Sequence, residues 1–283
     1  MRSETAGPAR RRERVATPRH YLLCPPTYFD VSYSINAWMD PGRPVDRDRA
    51  LAQWQWLVDA FLDRSHKVDL VDPVPGLPDM VFAANGATVV DGRVLVAKFR
   101  NRERAAEAPA FLEWFRTHGY PAAQLATMIN EGEGDHLVTR DRILAGRGFR
   151  SEQRAHTEVK RFFDRPVVPL DLMDRRFYHL DTALAVLDDQ TGELMYYPGA
   201  FSPASRAVLE RLYPDAIKAT EADAAVLGLN AVSDGRNVLL PAAAADLAAR
   251  LRERGFHPVG LDLSELLKAG GGIKCCTLEI REG

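Results

Sequence analysis

The chain has 283 residues, 46% of them hydrophobic and 27% charged, with a formal net charge of −2. That length supports a large core, and the near-neutral balance argues against a nucleic-acid partner. Three cysteines, two of them adjacent, make neither a disulfide framework nor a zinc spacing, and no apolar run is long enough to span a bilayer.

Residues 1–19 hold six arginines and little to bury, so a disordered tail is expected there, with one domain over residues 20–283. Free thiols suit a reducing, cytoplasmic setting. Tyr21 to Cys24 has the form of a short buried strand ended by Pro25 and Pro26. A polar–aromatic loop follows, with Asn36 in Ser34-Ile35-Asn36-Ala37-Trp38-Met39; such loops serve as ligand walls or as plain packed surface. Ala50 to Arg64 has helical apolar spacing, with Trp54 and Trp56 assigned to the core, and Val68 to Val71 is the next strand.

From there a unit recurs. Phe82–Val90 and Val94–Ala97 are expected to flank a tight turn at Asp91-Gly92, with a helix from Asn101 to Thr117. His136–Val138 and Ile143–Ala145 precede a helix from Glu152 to Phe163. Thr182–Leu187 and Leu194–Tyr197 precede one from Pro203 to Leu212, and Leu229–Val232 and Val238–Leu240 one from Ala243 to Arg254. Polar residues open successive units: Asn36, Asn85, Glu131, His179, Asn230 and Cys275, spaced 45 to 51 residues apart. A repeat of that length predicts a closed radial α/β array completed by the terminal strands, whose equivalent strand ends point at one centre.

Several of these residues carry chemistry. Gly270-Gly271-Gly272 runs into Lys274-Cys275-Cys276, and glycines permit close approach to a ligand. Taken alone, the two thiols are small buried hydrophobes as readily as nucleophiles. His179 and Asp181 would share one face of a strand, pairing an acid/base group with a cation-binding one. Glu131-Gly132-Glu133-Gly134-Asp135 collects three acids among glycines, which suits either a Mg²⁺ or Ca²⁺ site or capture of a cationic organic group. Asn85 offers an amide, Phe82 a face for a planar cation, and Arg150 a fork for a carboxylate.

Together these motifs resemble the guanidino-group-modifying superfamily of arginine deiminases, dimethylarginine dimethylaminohydrolases, amidinotransferases and arginine dihydrolases. The resemblance runs from Tyr21 to the end of the chain. It implies a five-bladed α/β propeller, with Cys275 as nucleophile, His179 as acid/base and Glu131 or Glu133 as the acid paired with it. It also implies Asp181 as a guanidinium ligand and Arg150 as the α-carboxylate ligand, with no metal or cofactor. Asn85 stands where deiminases and dimethylaminohydrolases usually carry Asp. With Asn36 and the Gly-Ile-Lys-Cys-Cys-Thr ending, it is more similar to arginine dihydrolases, which convert arginine to ornithine, ammonia and carbon dioxide. Asn85, Asp181, Arg150, Asn36, Phe82, Glu133 and Asn230 are thus the expected substrate-binding residues. The other readings are dimethylarginine hydrolysis, arginine deimination, and a non-catalytic arginine-binding protein. Self-association is left open.

Overall fold

The computed structural model describes residues 13–282. Its elements, in chain order, are β1 (His20–Leu23), α1 (Arg47–Leu62), β2 (Lys67–Leu70), β3 (Ala87–Val90), β4 (Arg93–Val96), α2 (Glu107–Thr117) and β5 (Gln124–Leu125). They continue with β6 (His136–Val138), β7 (Ile143–Arg147), α3 (Gln153–Phe163), β8 (Val167–Asp171), β9 (Leu184–Asp188), β10 (Glu193–Tyr196), α4 (Pro203–Leu212) and β11 (Ile217–Lys218). Last come α5 (Glu221–Ala225), β12 (Val232–Ser233), β13 (Asn237–Pro241), α6 (Ala245–Glu253), β14 (His257–Leu261), α7 (Ser264–Leu267) and β15 (Leu278–Glu279).

The strands form five three-stranded sheets, the blades of the expected propeller. In four of them an antiparallel hairpin is followed by a third strand parallel to the middle one, as in β3-β4-β5. The helix between the second and third strands makes that parallel return possible. The fifth blade is assembled from both ends of the chain: β15 pairs antiparallel with β1, which pairs parallel with β2. The C-terminal strand therefore takes the innermost place in that fifth blade. That pairing carries Cys275, three residues before β15, to the centre.

The turns follow from residue type. Asp91 and Gly92 both have positive φ, 51° and 70°, as a two-residue hairpin loop of type I′ requires. The α2 face bearing Phe111 and Phe115 is buried against its own blade. Burying one such ring contributes about 2–3 kcal/mol before entropy is counted.

Some expectations are corrected. Phe82–Val90 is not one strand: Pro78–Val81 and Ala83–Asn85 are 3₁₀ turns and β3 begins at Ala87. Gly86 allows this, since a Cβ there would stand 2.6 Å from the Phe111 ring. The second helix starts at Glu107 rather than Asn101, because the preceding turns carry Arg104 inward to buried partners. Trp54 is in the core but Trp56 is half exposed, since two residues along a helix point to opposite sides. The tail expectation fails for residues 13–19. Arg14 pairs with Glu193 at 2.7 Å and lies over the Phe256 ring, and Arg19 pairs with Asp189 at 3.0 Å. Residues 1–12 lie outside the described residues. Among the described residues no helix is long and apolar enough to cross a membrane.

Candidate active site

Three blades enter their first strand through the same device, a 3₁₀ turn: Ala83–Asn85, Gly132–Gly134 and Leu180–Thr182. The residues immediately before these turns are Phe82, Glu131 and His179. Cys275 sits in a matching turn before β15, where the Thr277 N–H donates to Lys274 O, as Gly86 N–H does to Ala83 O. His179 and Asp181 thus belong to a turn, not to the shared strand face that alternation implies. The turn still delivers both to the centre, each to its own partner.

Cys275 is buried, and Asn230 grips it twice. The Asn230 Nδ2 donates to Cys275 Sγ at 3.0 Å, and its Oδ1 accepts the Cys275 N–H at 3.1 Å. The thiol donates to Asp181 Oδ2 at 3.4 Å. Burial, and then the Asp181 charge, push the thiol well above its ordinary range. Burial pushes Asp181 up to about 7, against Lys274 and the hydrogen bonds from Cys275 and Asn230. A cation placed between the two would stabilise thiolate and carboxylate together.

His179 Nε2 lies 2.7 Å from Glu131 Oε2. Arg150 Nη1 donates to that same oxygen at 2.7 Å, and the Arg100 N–H to the other at 3.2 Å. Burial opposes ionisation of Glu131, but Arg150 and then His179 outweigh it and hold the carboxyl well below the usual range. An ionised Glu131 keeps the donating proton on Nε2 and leaves Nδ1 to exchange a second one. His179 Nδ1, Asp181 Oδ1 and Asp79 Oδ1 are all buried without a partner among the described residues. Unsatisfied polar atoms are costly in a core, and a polar ligand would satisfy them.

The remaining expected residues divide. Asn85 is central: its Oδ1 accepts from Arg104 Nη1 at 2.6 Å, and its Nδ2 donates to Glu131 O at 3.4 Å. Nothing but hydrogen fits at Gly134, where a Cβ would stand 2.2 Å from that Nδ2 and 3.2 Å from the His179 ring. Arg150 reaches the centre, but its guanidinium serves Glu131 and the Ile35 carbonyl and stacks over Tyr178 at 4.7 Å. Phe82 covers Gly271 rather than standing free, since a Cβ there would meet the ring at 2.2 Å.

Two expectations are corrected. Glu133 does not join this group: its carboxylate takes Lys274 Nζ at 2.6 Å, the Arg281 guanidinium and the Glu279 N–H at 3.0 Å. Asn36 is spent on backbone, accepting from Trp38 and Met39 N–H and donating to Ala269 O. It pins its loop beside Gly270, whose φ of +80° and contact with Trp38 demand glycine. The glycine run therefore admits close approach of protein side chains.

Sequence reasoning missed Asp79, Tyr33, Arg104 and Glu107. Tyr33 OH donates to Asp79 Oδ2 at 2.9 Å, and Arg104 forms a buried two-pronged pair with Glu107 at 2.7 Å. Asp79 had a signal, a lone acid inside the apolar Leu77–Phe82 stretch. Arg104 had none that separates it from Arg100 and Arg102. Among the described residues no group of three His, Cys, Asp or Glu is arranged to hold a metal.

Comparison with known proteins bears on this arrangement. Residues 32–282 match the family model "N,N dimethylarginine dimethylhydrolase, eukaryotic". The N(G),N(G)-dimethylarginine dimethylaminohydrolase of Mycobacterium tuberculosis is 54% identical over 96% of this chain and 88% of its own length. The bifunctional arginine dihydrolase/ornithine cyclodeaminase AgrE of Nostoc is 41% identical over 93% of this chain, but over only 38% of its own length. Among solved structures, the substrate-bound N-terminal domain of ArgZ, an arginine dihydrolase from the ornithine–ammonia cycle in cyanobacteria, superposes with a TM-score of 0.87 at 38% identity. It covers 93% of this chain and 98% of that domain. The dimethylarginine dimethylaminohydrolase of Pseudomonas aeruginosa, complexed with citrulline, has the same fold, with a TM-score of 0.78 at 17% identity over 92% and 98% of the two chains.

Proposed function

Because the chain belongs to the N,N dimethylarginine dimethylhydrolase family and is a hydrolase of the guanidino group of arginine-type substrates, we propose that it is an arginine dihydrolase. The reading rests on one observation. Arg104 donates to Asn85 Oδ1 at 2.6 Å, so the amide is locked with its NH₂ beside His179 and Gly134. A neutral donor there suits the carbonyl oxygen of a ureido group, which an anionic carboxylate would repel.

The substrate guanidinium lies against Asp181, held by charge-assisted hydrogen bonds, and Arg150, which spends only two of its five N–H groups on Glu131 and the Ile35 carbonyl, serves the α-carboxylate with the others. The cation lowers the Cys275 thiol's affinity for its proton, and the thiolate attacks the guanidino carbon. Imidazolium His179, oriented by Glu131, gives a proton to the departing nitrogen. Ammonia leaves and a cationic thiouronium remains on sulfur. Water then attacks with His179 as base, and the ureido product and the thiol are released. In a dihydrolase the thiolate attacks that ureido carbon again. A second ammonia leaves, and hydrolysis of the thiocarbamate gives a carbamate that falls to carbon dioxide and ornithine.

A second reading has its own support. The 54% relative is named a dimethylarginine dimethylaminohydrolase. Loss of dimethylamine from dimethylarginine leaves the same thiouronium, so the first covalent intermediate does not separate the two. Mass identification of products from arginine and from asymmetric dimethylarginine does. Ornithine from arginine supports the dihydrolase; citrulline as the sole end product, formed only from the methylated substrate, overturns it.

A further inference from the structure

Asp135 is buried and has no part in the chemistry above, yet both its oxygens are engaged. Oδ1 accepts the Leu180 N–H at 3.1 Å; Oδ2 accepts the Ser151 N–H at 3.2 Å and the Ser151 hydroxyl at 2.6 Å. Each donor belongs to a segment that carries a site residue. Leu180 directly follows His179. Ser151 directly follows Arg150, and its Oγ in turn accepts the Glu131 N–H at 3.2 Å. One carboxylate therefore ties together the backbones of the segments bearing Glu131, Arg150 and His179, across two neighbouring blades. The slot around it has no slack: a Cβ at Gly146 would stand 2.8 Å from Asp135 Oδ1 and 2.8 Å from the Leu180 Cβ.

We propose that Asp135 is a positioning residue that, through Ser151 and the Leu180 amide, fixes the approach of His179 to Glu131 and so aims the proton delivered to the leaving nitrogen. This rests on the reading of His179 as the acid. An amide in place of the carboxylate would set an NH₂ against an N–H or O–H donor at one end of the slot, and the segment there would shift. Proton delivery is sensitive to such shifts, since about 1 Å of misplacement costs on the order of 100-fold in rate.

The test compares two leaving groups in Asp135→Asn and Ser151→Ala. Arginine must lose an amine, which needs a proton. An S-methyl isothiourea analogue of arginine loses methanethiolate: the Cys275 S–C bond forms, the C–SCH₃ bond breaks, and the thiolate departs with its electron pair and is protonated by solvent. The same thiouronium results. For Asp135→Asn we expect single-turnover release of ammonia to fall about 100-fold, with KM little changed, while the methanethiol burst falls less than about threefold. Ser151→Ala should show the same selectivity on a smaller scale, and it decides the matter if the asparagine variant does not fold. Equal losses on both leaving groups, or no loss on either, overturn the proposal. His179→Gln is run alongside. If its own loss is not selective for the amine, the acid role fails and the proposal with it. If it is selective and neither other variant is, the positioning role alone is overturned.

Discussion

Glu131 and Glu133 are two residues apart, and their carboxylates go to different neighbourhoods. Glu131 meets His179 and Arg150; Glu133 meets Lys274 and Arg281 beside the segment that carries Cys275. The 3₁₀ turn between them sends the two side chains apart. On the proposed mechanism, Glu131→Gln should cut turnover about a thousandfold or more, because it removes the partner that orients the imidazole. Glu133→Gln should instead cost roughly 3 kcal/mol of stability by leaving the buried Lys274 ammonium without its anion, while Arg281 keeps Glu279, with kcat largely kept in the folded fraction. Thermal melts and steady-state rates on the two variants separate these outcomes.

Much of this was legible in the sequence, and the reason is periodic. Hairpin turns such as Asp91-Gly92, followed by helices of recognisable period, mark four of the five blades, so the repeat and its convergent centre follow from spacing. The frame within the repeat did not follow. Spacing aligns Asn85 with Glu131 and His179, but the residue in their place is Phe82, because the 3₁₀ turns take up residues that look like strand. Asn36 failed for a related reason. Its amide is an Asx-type cap on its own loop, and local hydrogen bonding of this kind has no signature that separates it from ligand binding.

Cys275→Ser should abolish turnover and leave arginine binding within about tenfold, since Asp181 and Arg150 are untouched and serine is a far weaker nucleophile. Calorimetric titration beside a product assay checks both halves. Cys276 is fully buried in the core cluster that also holds Cys275, and its thiol has no bond to the His179 or Asp181 side chains. Cys276→Ser should retain activity and lose about 1–2 kcal/mol, the cost of burying a hydroxyl without a partner. A dead Cys276→Ser with a live Cys275→Ser would reverse the assignment of the attacking sulfur.

Asp181 should make the free protein less stable at neutral pH. Its folded pKa is raised to about 7 from an ordinary 3.8, mainly by burial. Between those values the folded state holds a proton that the unfolded state has released, so stability falls as pH rises through that window. The penalty is absent below about pH 4, and above about pH 7 it is complete, at up to a few kcal/mol. Asp181→Asn removes the titration. Its melting temperature should match wild type near pH 4 and exceed it by several degrees near pH 7.5, while activity is lost with the guanidinium ligand. A constant offset across that range would mean that Asp181 is not desolvated in solution.

Asn85→Asp tests the choice of product. The carboxylate would still face Arg104, so the local fold should hold, and the Arg104–Glu107 pair would gain a second anion as neighbour. The new negative charge would sit beside Gly134 and His179, where the Asn85 NH₂ now lies. It would help to hold a guanidinium, whose every edge donates, and it would repel the carbonyl of the ureido product. The first thiouronium cycle should therefore survive within about tenfold, and the second should fail, because a loss of about 1.4–2.8 kcal/mol of ureido binding is a 10- to 100-fold bias towards release. Citrulline should then accumulate from arginine at the expense of ornithine, as amino-acid analysis over the first few turnovers would show. An unchanged ratio would remove Asn85 from the choice and place the control of the second attack elsewhere in the centre.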